Sequence, residues 1–210
     1  MRFSRGNPAR FFQRVYDCRF FVAAVMTESF LAALATHPPF DRDEEKYRSE
    51  FMRFVSSNRN NWWRRANAEG HVTGSAWLLN SARTHALLLH HVKLELWVQP
   101  GGHLDDSDAS PALGAMREAL EETGISRLTF ASDALFDLDI HCIPARAGGE
   151  LIEPAHLHYD ARYLIIASDV EIKISEESRD AKWIALDVLA QPSQDRSIAR
   201  MAEKSLRLNS

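Results

Sequence analysis

The sequence predicts an α/β fold with a mixed β-sheet, preceded by a helical N-terminal segment. Helix-like and strand-like stretches interleave along the chain, and this alternation favours a layered α/β or α+β architecture. The 210 residues are 45% hydrophobic and 26% charged, which is ordinary globular composition and argues against a disordered or low-complexity protein. The length is sufficient for one domain with its own core.

Composition and charge also exclude several classes of protein. No apolar run approaches the roughly 18–20 residues of a membrane-spanning helix, and two cysteines cannot form a disulfide framework. We therefore expect a cytoplasmic protein that makes no membrane contact. The formal net charge of −4 argues against nucleic acid as the partner, because nucleic-acid binders are usually basic.

Residues 1–25 form a basic, aromatic extension with five arginines and one aspartate. A signal peptide and a transit peptide are the alternatives, but Arg19 interrupts the only apolar stretch. We assign residues 1–25 to an extension outside the functional core, residues 26–66 to a helical segment and residues 67–210 to the main domain.

Two helices are predicted in the helical segment. Apolar residues at helical spacing in residues 27–36 form one stripe, which ends at Pro38-Pro39. Tyr47, Phe51 and Val55 form a second stripe. The aromatic-basic cluster at residues 62–65 could stack on a nucleobase, but tryptophans in such a cluster more often anchor a helix to a sheet.

Strand-like runs follow the helical segment. They cover residues 71–79, 85–92, 96–99, 135–142 and 157–167. Turn residues at 80–84 separate the first two runs. We predict a loop over residues 144–154 and a final helix that begins near Asp187.

The clearest local signal is a short helix from Pro111 to Thr123. Ser110 is a suitable N-cap, and a proline fits the first turn of a helix. Gly124 can adopt the left-handed conformation that ends a helix. Local chemistry therefore defines both ends.

This helix carries three carboxylates at i, i+3 and i+4, which are Glu118, Glu121 and Glu122. They are predicted to lie opposite an apolar face that comprises Ala112, Leu113, Met116, Ala119 and Leu120. The carboxylates repel one another, and they lie near the helix C-terminus, where the helix dipole disfavours negative charge. A hard divalent cation such as Mg²⁺ or Mn²⁺ would relieve this repulsion. Arg117 is spaced to hold Glu121 in place.

The segment resembles the signature of the Nudix hydrolase family. The first half of that signature contains a glycine and a glutamate. The second half reads Arg-Glu-apolar-any-Glu-Glu-any-Gly-apolar, and residues 117–125 match it throughout. Gly102 matches the upstream glycine. Asp108 replaces the glutamate, and the loop after it is one residue longer than in the signature. The strand that enters at residues 97–102 also resembles the family, and the resemblance covers residues 70–190.

The resemblance implies an α/β/α sandwich and hydrolysis of a phosphoanhydride bond in a nucleoside diphosphate derivative. By position, Glu118, Glu121 and Glu122 would bind Mg²⁺ or Mn²⁺ together with the carbonyl of Gly101. Arg117 would orient a glutamate. Glu118 is one candidate for the general base.

Other residues are candidates for the same site. The pair Glu176-Glu177 resembles the family's acidic loop before a C-terminal tryptophan, and we assign Glu176 as the catalytic member. His103 is placed to contact a phosphate. His156 and His158 face one side of a strand and would suggest zinc together with His141. Because the glutamates favour oxygen chemistry, we instead assign His158 to the substrate pocket.

Two other functions remain open: removal of pyrophosphate from RNA 5′ ends, and nucleotide binding without catalysis. The expected partner is a small-molecule nucleotide. The helical stretch at residues 27–58 could cover the interface of a homodimer.

Overall fold

The computed structural model describes residues 23–93, 95–148, 151–169 and 171–209, so most of the predicted N-terminal extension lies outside the described residues. The helices of these ranges are α1 (residues 23–36), α2 (Arg42–Ser57), α3 (Pro111–Thr123), α4 (Leu186–Leu189) and α5 (Arg196–Leu208). The strands are β1 (Gly70–Asn80), β2 (His85–His91), β3 (Trp97–Val98), β4 (Gly101–His103), β5 (Leu128–Phe130), β6 (Asp137–Ile143), β7 (Arg146–Gly148), β8 (Leu151–Glu153), β9 (His156–Ala167) and β10 (Ser178–Ala185).

Eight of these strands form one mixed sheet, in the order β10-β2-β1-β9-β5. The short strand β3 pairs with β2, β4 pairs with β1, and β6 pairs with β9. The central strands β1 and β9 run parallel, from Gly70 opposite Leu157 to Asn80 opposite Ala167. The other pairs in this sheet are antiparallel.

Helices cover both faces of the sheet. Alternate residues of β1 point to opposite faces: Leu78 packs in a cluster with Ala119 of α3, whereas Trp77 packs in a cluster with Leu186 of α4 and Met201 of α5. The prediction of an α/β/α sandwich with a mixed sheet is therefore confirmed. Within the described ranges, none of the helices is both long enough and apolar enough to span a lipid bilayer.

The N-terminal helices pack onto the sheet through aromatic side chains. Phe54 of α2 stacks on Tyr159 of β9 with ring centroids 4.1 Å apart. Trp62 is fully buried, stacks on Phe30 of α1 and donates a 2.8 Å hydrogen bond from Nε1 to Oγ1 of Thr27. Trp62 and Trp63 lie in one hydrophobic core with Phe30 of α1 and Val72 of β1, which confirms that these tryptophans anchor a helix to the sheet.

The predicted loop at residues 144–154 is wrong. β7 and β8 form an antiparallel pair there, with Arg146 opposite Glu153. β7 ends at Gly148, and a glycine at the end of a short strand is compatible with a hairpin. β10 was not predicted either, because half of its side chains are polar and most are at least partly exposed, so they do not form an apolar run.

A network of buried charges lies where α2 and α5 meet β6. The Asp137 carboxylate is fully buried and accepts hydrogen bonds from Nε of Arg200 at 2.8 Å and Nζ of Lys204 at 2.8 Å. Lys204 also contacts Glu44 of α2. Arg162 of β9 joins Asp137 at 3.3 Å. The network connects the N-terminal helices, the sheet and the C-terminal helix.

Glu44 makes the stability of this fold dependent on acid pH. Burial alone would raise its pKa, but the hydrogen bond from His37 and the charge of Lys204 outweigh burial and lower the pKa from 4.5 to about 2. The carboxylate therefore stabilises the fold above pH 4.5, and this contribution is lost as the pH falls from 4.5 towards 2.

We expect a loss of about 3 kcal/mol in the free energy of unfolding across that range from this one group. Urea titrations at a series of pH values would measure it. Glu44→Gln should flatten the profile between the two pKa values, whereas an unchanged slope in that variant would rule out Glu44 as the titrating group.

Candidate active site

Helix α3 begins and ends at the predicted residues. The Ser110 side chain caps it by accepting a hydrogen bond from the Leu113 N–H at 3.2 Å. Gly124 adopts the left-handed conformation, with φ of 64°, and its N–H donates to the carbonyl of Leu120. These two caps fix which residues of α3 face the sheet.

The predicted apolar face of α3 is wrong in part. Leu113 and Leu120 are 49% and 40% exposed. The buried positions are instead Pro111, Gly114, Ala115, Ala119, Glu122 and Thr123. The helix lies so close to β1 that a Cβ on Gly74 would come within 2.7 Å of the Pro111 carbonyl oxygen, which leaves room only for small side chains. The helix is therefore rotated about its axis relative to the prediction. As a result, Glu122 is 7% exposed and faces the protein.

Gly101 and Gly102 belong to β4, which follows β3 closely. These two glycines contact two of the carboxylates. The Gly101 N–H donates to Oε2 of Glu122 at 2.8 Å. A Cβ on Gly102 would lie 2.7 Å from Cδ of Glu118, so the absence of a side chain there allows that carboxylate to lie against the strand. β4 thus forms a cradle for Glu118 and Glu122.

Arg117 organises the rest of the cluster. Its Nη1 donates to Glu118 at 2.9 Å and to Glu121 at 3.1 Å, so the expected contact with Glu121 is present. Its Nη2 donates to Oδ2 of Asp108 and to the carbonyl of His103, both at 2.9 Å. Asp108, the residue that replaces the signature glutamate, therefore anchors the arginine that positions the other acids.

Two of the carboxylates have a raised pKa. Burial and the charges of Glu118, Glu177 and Glu121 together outweigh the opposing hydrogen bond from the Gly101 N–H and raise the pKa of Glu122 from 4.5 to about 7. Burial also raises the pKa of Glu118. Such shifts indicate negative charge that the protein does not fully compensate.

The acidic loop reaches the cluster through its backbone. The Ser175 N–H donates to the Glu122 carbonyl at 3.2 Å, which ties the loop to the last turn of α3. Glu177 is the member of the pair whose charge raises the pKa of Glu118 and Glu122. Glu176, which we assigned from the sequence, and Glu177 are both exposed.

The donor set of this cluster suits a hard divalent cation. Carboxylate and backbone carbonyl oxygens are the ligands that Mg²⁺ and Mn²⁺ take in proteins. Gly102 leaves the space in which the Glu118 carboxylate lies. A cation between these acids would neutralise the repulsion that, together with burial, raises the pKa of Glu118 and Glu122.

The predicted substrate-binding histidines lie together on the sheet, beside a third histidine. The ring of His103 lies 4.9 Å from that of His71 and 5.2 Å from that of His158, centroid to centroid. Sequence reasoning missed His71, because its place opposite His158 follows from the parallel pairing of β1 with β9. The local sequence around residue 71 carries no signal for that pairing.

The chain resembles several solved structures of known proteins. The C. elegans Ap4A hydrolase, in a binary complex, is 19% identical, with a TM-score of 0.50 over 66% of this chain and 96% of that chain. The E. coli dihydroneopterin triphosphate pyrophosphohydrolase is 15% identical, with a TM-score of 0.49 over 66% and 96%. A NUDIX-family hydrolase from Clostridium perfringens is 24% identical, with a TM-score of 0.47 over 67% and 98%.

Curated proteins gave no match to the sequence. The family profile described as NUDIX domain matches residues 70–204, which is more than half of the chain. The matched region contains β4, all of α3 and the acidic loop. The chain therefore belongs to the Nudix hydrolase family.

Proposed function

We propose that this Nudix hydrolase cleaves a phosphoanhydride bond in a small nucleoside diphosphate derivative, with Mg²⁺ or Mn²⁺ held at the α3 carboxylates. The observation that supports this most is that Glu122 is buried and Glu118 is partly buried against β4, both with raised pKa values. A helix selected for stability alone would keep these acids in solvent. The C. elegans protein of similar fold is named for Ap4A, a substrate with such bonds.

In this proposal Glu118, Glu121, Glu122 and the Gly101 carbonyl hold the cation. When bound, a divalent ion polarises phosphoryl oxygens and lowers the pKa of a water molecule that attacks phosphorus. Arg117 holds the carboxylates of Glu118 and Glu121 in place.

Removal of the proton from the attacking water requires a carboxylate with a suitable pKa. Glu118 is a candidate, because burial raises its pKa and a general base is most effective with a pKa near the working pH. The acidic loop supplies a second candidate. We assign that role to Glu177 in place of Glu176, since the charge of Glu177 acts on both buried glutamates.

The assignment of Glu177 predicts different effects for two adjacent substitutions. Glu177→Gln should lower kcat by about 10²–10⁴-fold, the usual contribution of a general base. Glu176→Gln, its neighbour and matched control, should stay within about twofold of the parent, because surface changes away from a site have small effects. Steady-state kinetics with saturating metal would measure both, and a larger loss in Glu176→Gln would return the role to that residue.

The proposed function is tested with a panel of substrates. The chain, freed of metal by a chelator, is supplied with Mg²⁺ or Mn²⁺ and then with nucleoside diphosphate derivatives, dinucleoside polyphosphates, nucleoside triphosphates and a 5′-triphosphate RNA. Reaction in ¹⁸O-labelled water identifies the phosphorus that is attacked. Turnover of the RNA alone would favour the RNA 5′-end activity. Nucleotide binding without turnover of any compound would indicate a binding module.

A further inference from the structure

Five histidines meet at one end of the sheet. The parallel register of β1 and β9 places His71 opposite His158, and the antiparallel register of β6 and β9 places His141 opposite the same residue. His156 lies two residues before His158 and faces the same side of β9. His103 of β4 packs its ring on His71. The sequence separates these residues widely, and the sheet brings them together.

His71 is the most enclosed member of this cluster. It is 1% exposed, and within the described residues neither Nδ1 nor Nε2 of its ring has a hydrogen-bond partner. A buried polar group without a partner costs about 1–3 kcal/mol. Such groups are rare in proteins, and each calls for an explanation such as an ion.

His156 is oriented as a metal ligand would be. Its Nδ1 lies 2.9 Å from the Pro154 carbonyl oxygen, so Nδ1 carries the proton in that contact and Nε2 presents a lone pair. Metal-binding histidines commonly use their second nitrogen in this way. Nε2 lies 3.3 Å from Nε2 of His158, and two nitrogens at about 2.0–2.1 Å from a tetrahedral ion are about 3.3–3.4 Å apart.

The three rings converge, and burial keeps those of His71 and His158 uncharged. One ring nitrogen each of His71, His156 and His158 lies within 4.8 Å of the other two. Burial, reinforced by the neighbouring imidazoles, lowers the pKa of His71 to about 3 and that of His158 to about 2. Neutral imidazole is the form that binds metals.

Asp160, the acidic residue of β9, already accepts hydrogen bonds through both of its carboxylate oxygens. Oδ1 of Asp160 accepts from the hydroxyls of Thr73 and Ser75, at 3.0 and 2.7 Å. Its Oδ2 accepts from Gln99 at 3.1 Å and from Nε of Arg162 at 2.7 Å. The donors that remain for a cation are imidazole nitrogens, which suit zinc and other first-row transition metals better than Mg²⁺.

We propose that His71, His156 and His158 form a second metal site, which binds a borderline divalent cation, Zn²⁺ by preference. Three protein ligands leave the fourth position of a tetrahedral ion open to water or to a substrate oxygen. The site is distinct from the α3 carboxylates, but both adjoin β4. Gly101 and Gly102 of this strand contact the carboxylates, and His103, the next residue, packs on His71. His158 is then a metal ligand, in place of the substrate-binding role predicted from sequence.

The test uses the full chain, freed of metal by a chelator and titrated with Zn²⁺ in millimolar Mg²⁺ against a chromogenic competitor. We expect one Zn²⁺ per chain that excess Mg²⁺ does not displace, and with Co²⁺ the visible spectrum of a tetrahedral site. His71→Asn and His158→Asn should weaken binding at least as much as the roughly 10- to 100-fold cost of losing an outer-shell partner. His141→Asn, the control within the cluster, and Glu122→Gln, the control at the carboxylates, should retain Zn²⁺.

X-ray absorption on the unmodified chain with Zn²⁺ keeps the test decisive if a histidine variant fails to fold. We expect Zn–N distances of about 2.0–2.1 Å, together with scattering from the imidazole rings. An oxygen-only shell, loss of Zn²⁺ in Glu122→Gln with retention in the histidine variants, or no Zn²⁺ binding in the presence of Mg²⁺ would each overturn the proposal. None of these outcomes depends on hydrolase activity, so the proposed function is tested separately.

Discussion

Replacement of Glu122 by glutamine is expected to lower kcat/KM by about a thousandfold or more while leaving the fold at least as stable as before. The loss of activity follows because a neutral amide is a poor ligand for a hard cation and compensates less of its charge. Stability is retained because the amide oxygen can still accept from the Gly101 N–H. Substitution also removes a buried carboxylate that the charges of Glu118, Glu177 and Glu121 repel.

Kinetics over a range of Mg²⁺ concentrations and urea denaturation of the same preparations would measure both effects. Glu203→Gln is a matched control on α5, where the glutamate pairs with Arg196 at the surface. Glu121→Gln should also reduce turnover under the proposed assignment. Unchanged turnover in both Glu121→Gln and Glu122→Gln would refute the metal site at α3.

Replacement of Asp137 by asparagine is expected to cause the largest loss of stability, about 3–5 kcal/mol, because removal of one partner leaves buried charges uncompensated. Its carboxylate contacts three cationic side chains, Arg162, Arg200 and Lys204. Both arginines are almost completely enclosed. Asparagine keeps the shape of the side chain and removes its charge, so the effect reports electrostatics rather than a cavity.

Urea denaturation at neutral pH would measure this loss. Asp180→Asn provides the control, since Asp180 lies at the surface and pairs with exposed Lys182, where ion pairs contribute little to stability. Similar losses in the two variants would show that the buried network does not hold the C-terminal helix to the sheet.

The sequence was sufficient wherever the determining interactions are local. Ser110, Pro111 and Gly124 set both ends of α3 through caps within a few residues, and the predicted bounds match the structure. The family membership followed from the same stretch, because the spacing of Arg117 and the three glutamates is read directly along one helix. The class of fold followed from the alternation of helices and strands.

The features that the sequence did not predict depend on contacts between segments that are distant along the chain. The face of α3 that is buried depends on how closely β1 approaches it, so the leucines predicted to be inside are exposed and Glu122 is enclosed. The choice between Glu176 and Glu177 depends on how the acidic loop attaches to α3. The pairing of His71 with His158 joins two strands whose neighbourhood in the sheet no local pattern reveals.

The parallel pair at the centre of the sheet has a consequence for biosynthesis. Thr73 and Asp160, which are bonded across β1 and β9, are 87 residues apart along the chain, and contacts over such separations slow folding. During translation β1 is made before β9, so one edge of β1 is without its partner strand while residues 81–155 are added. An unpaired edge of this kind can recruit other chains. We expect nascent chains that end before residue 156 to require chaperones to stay in solution.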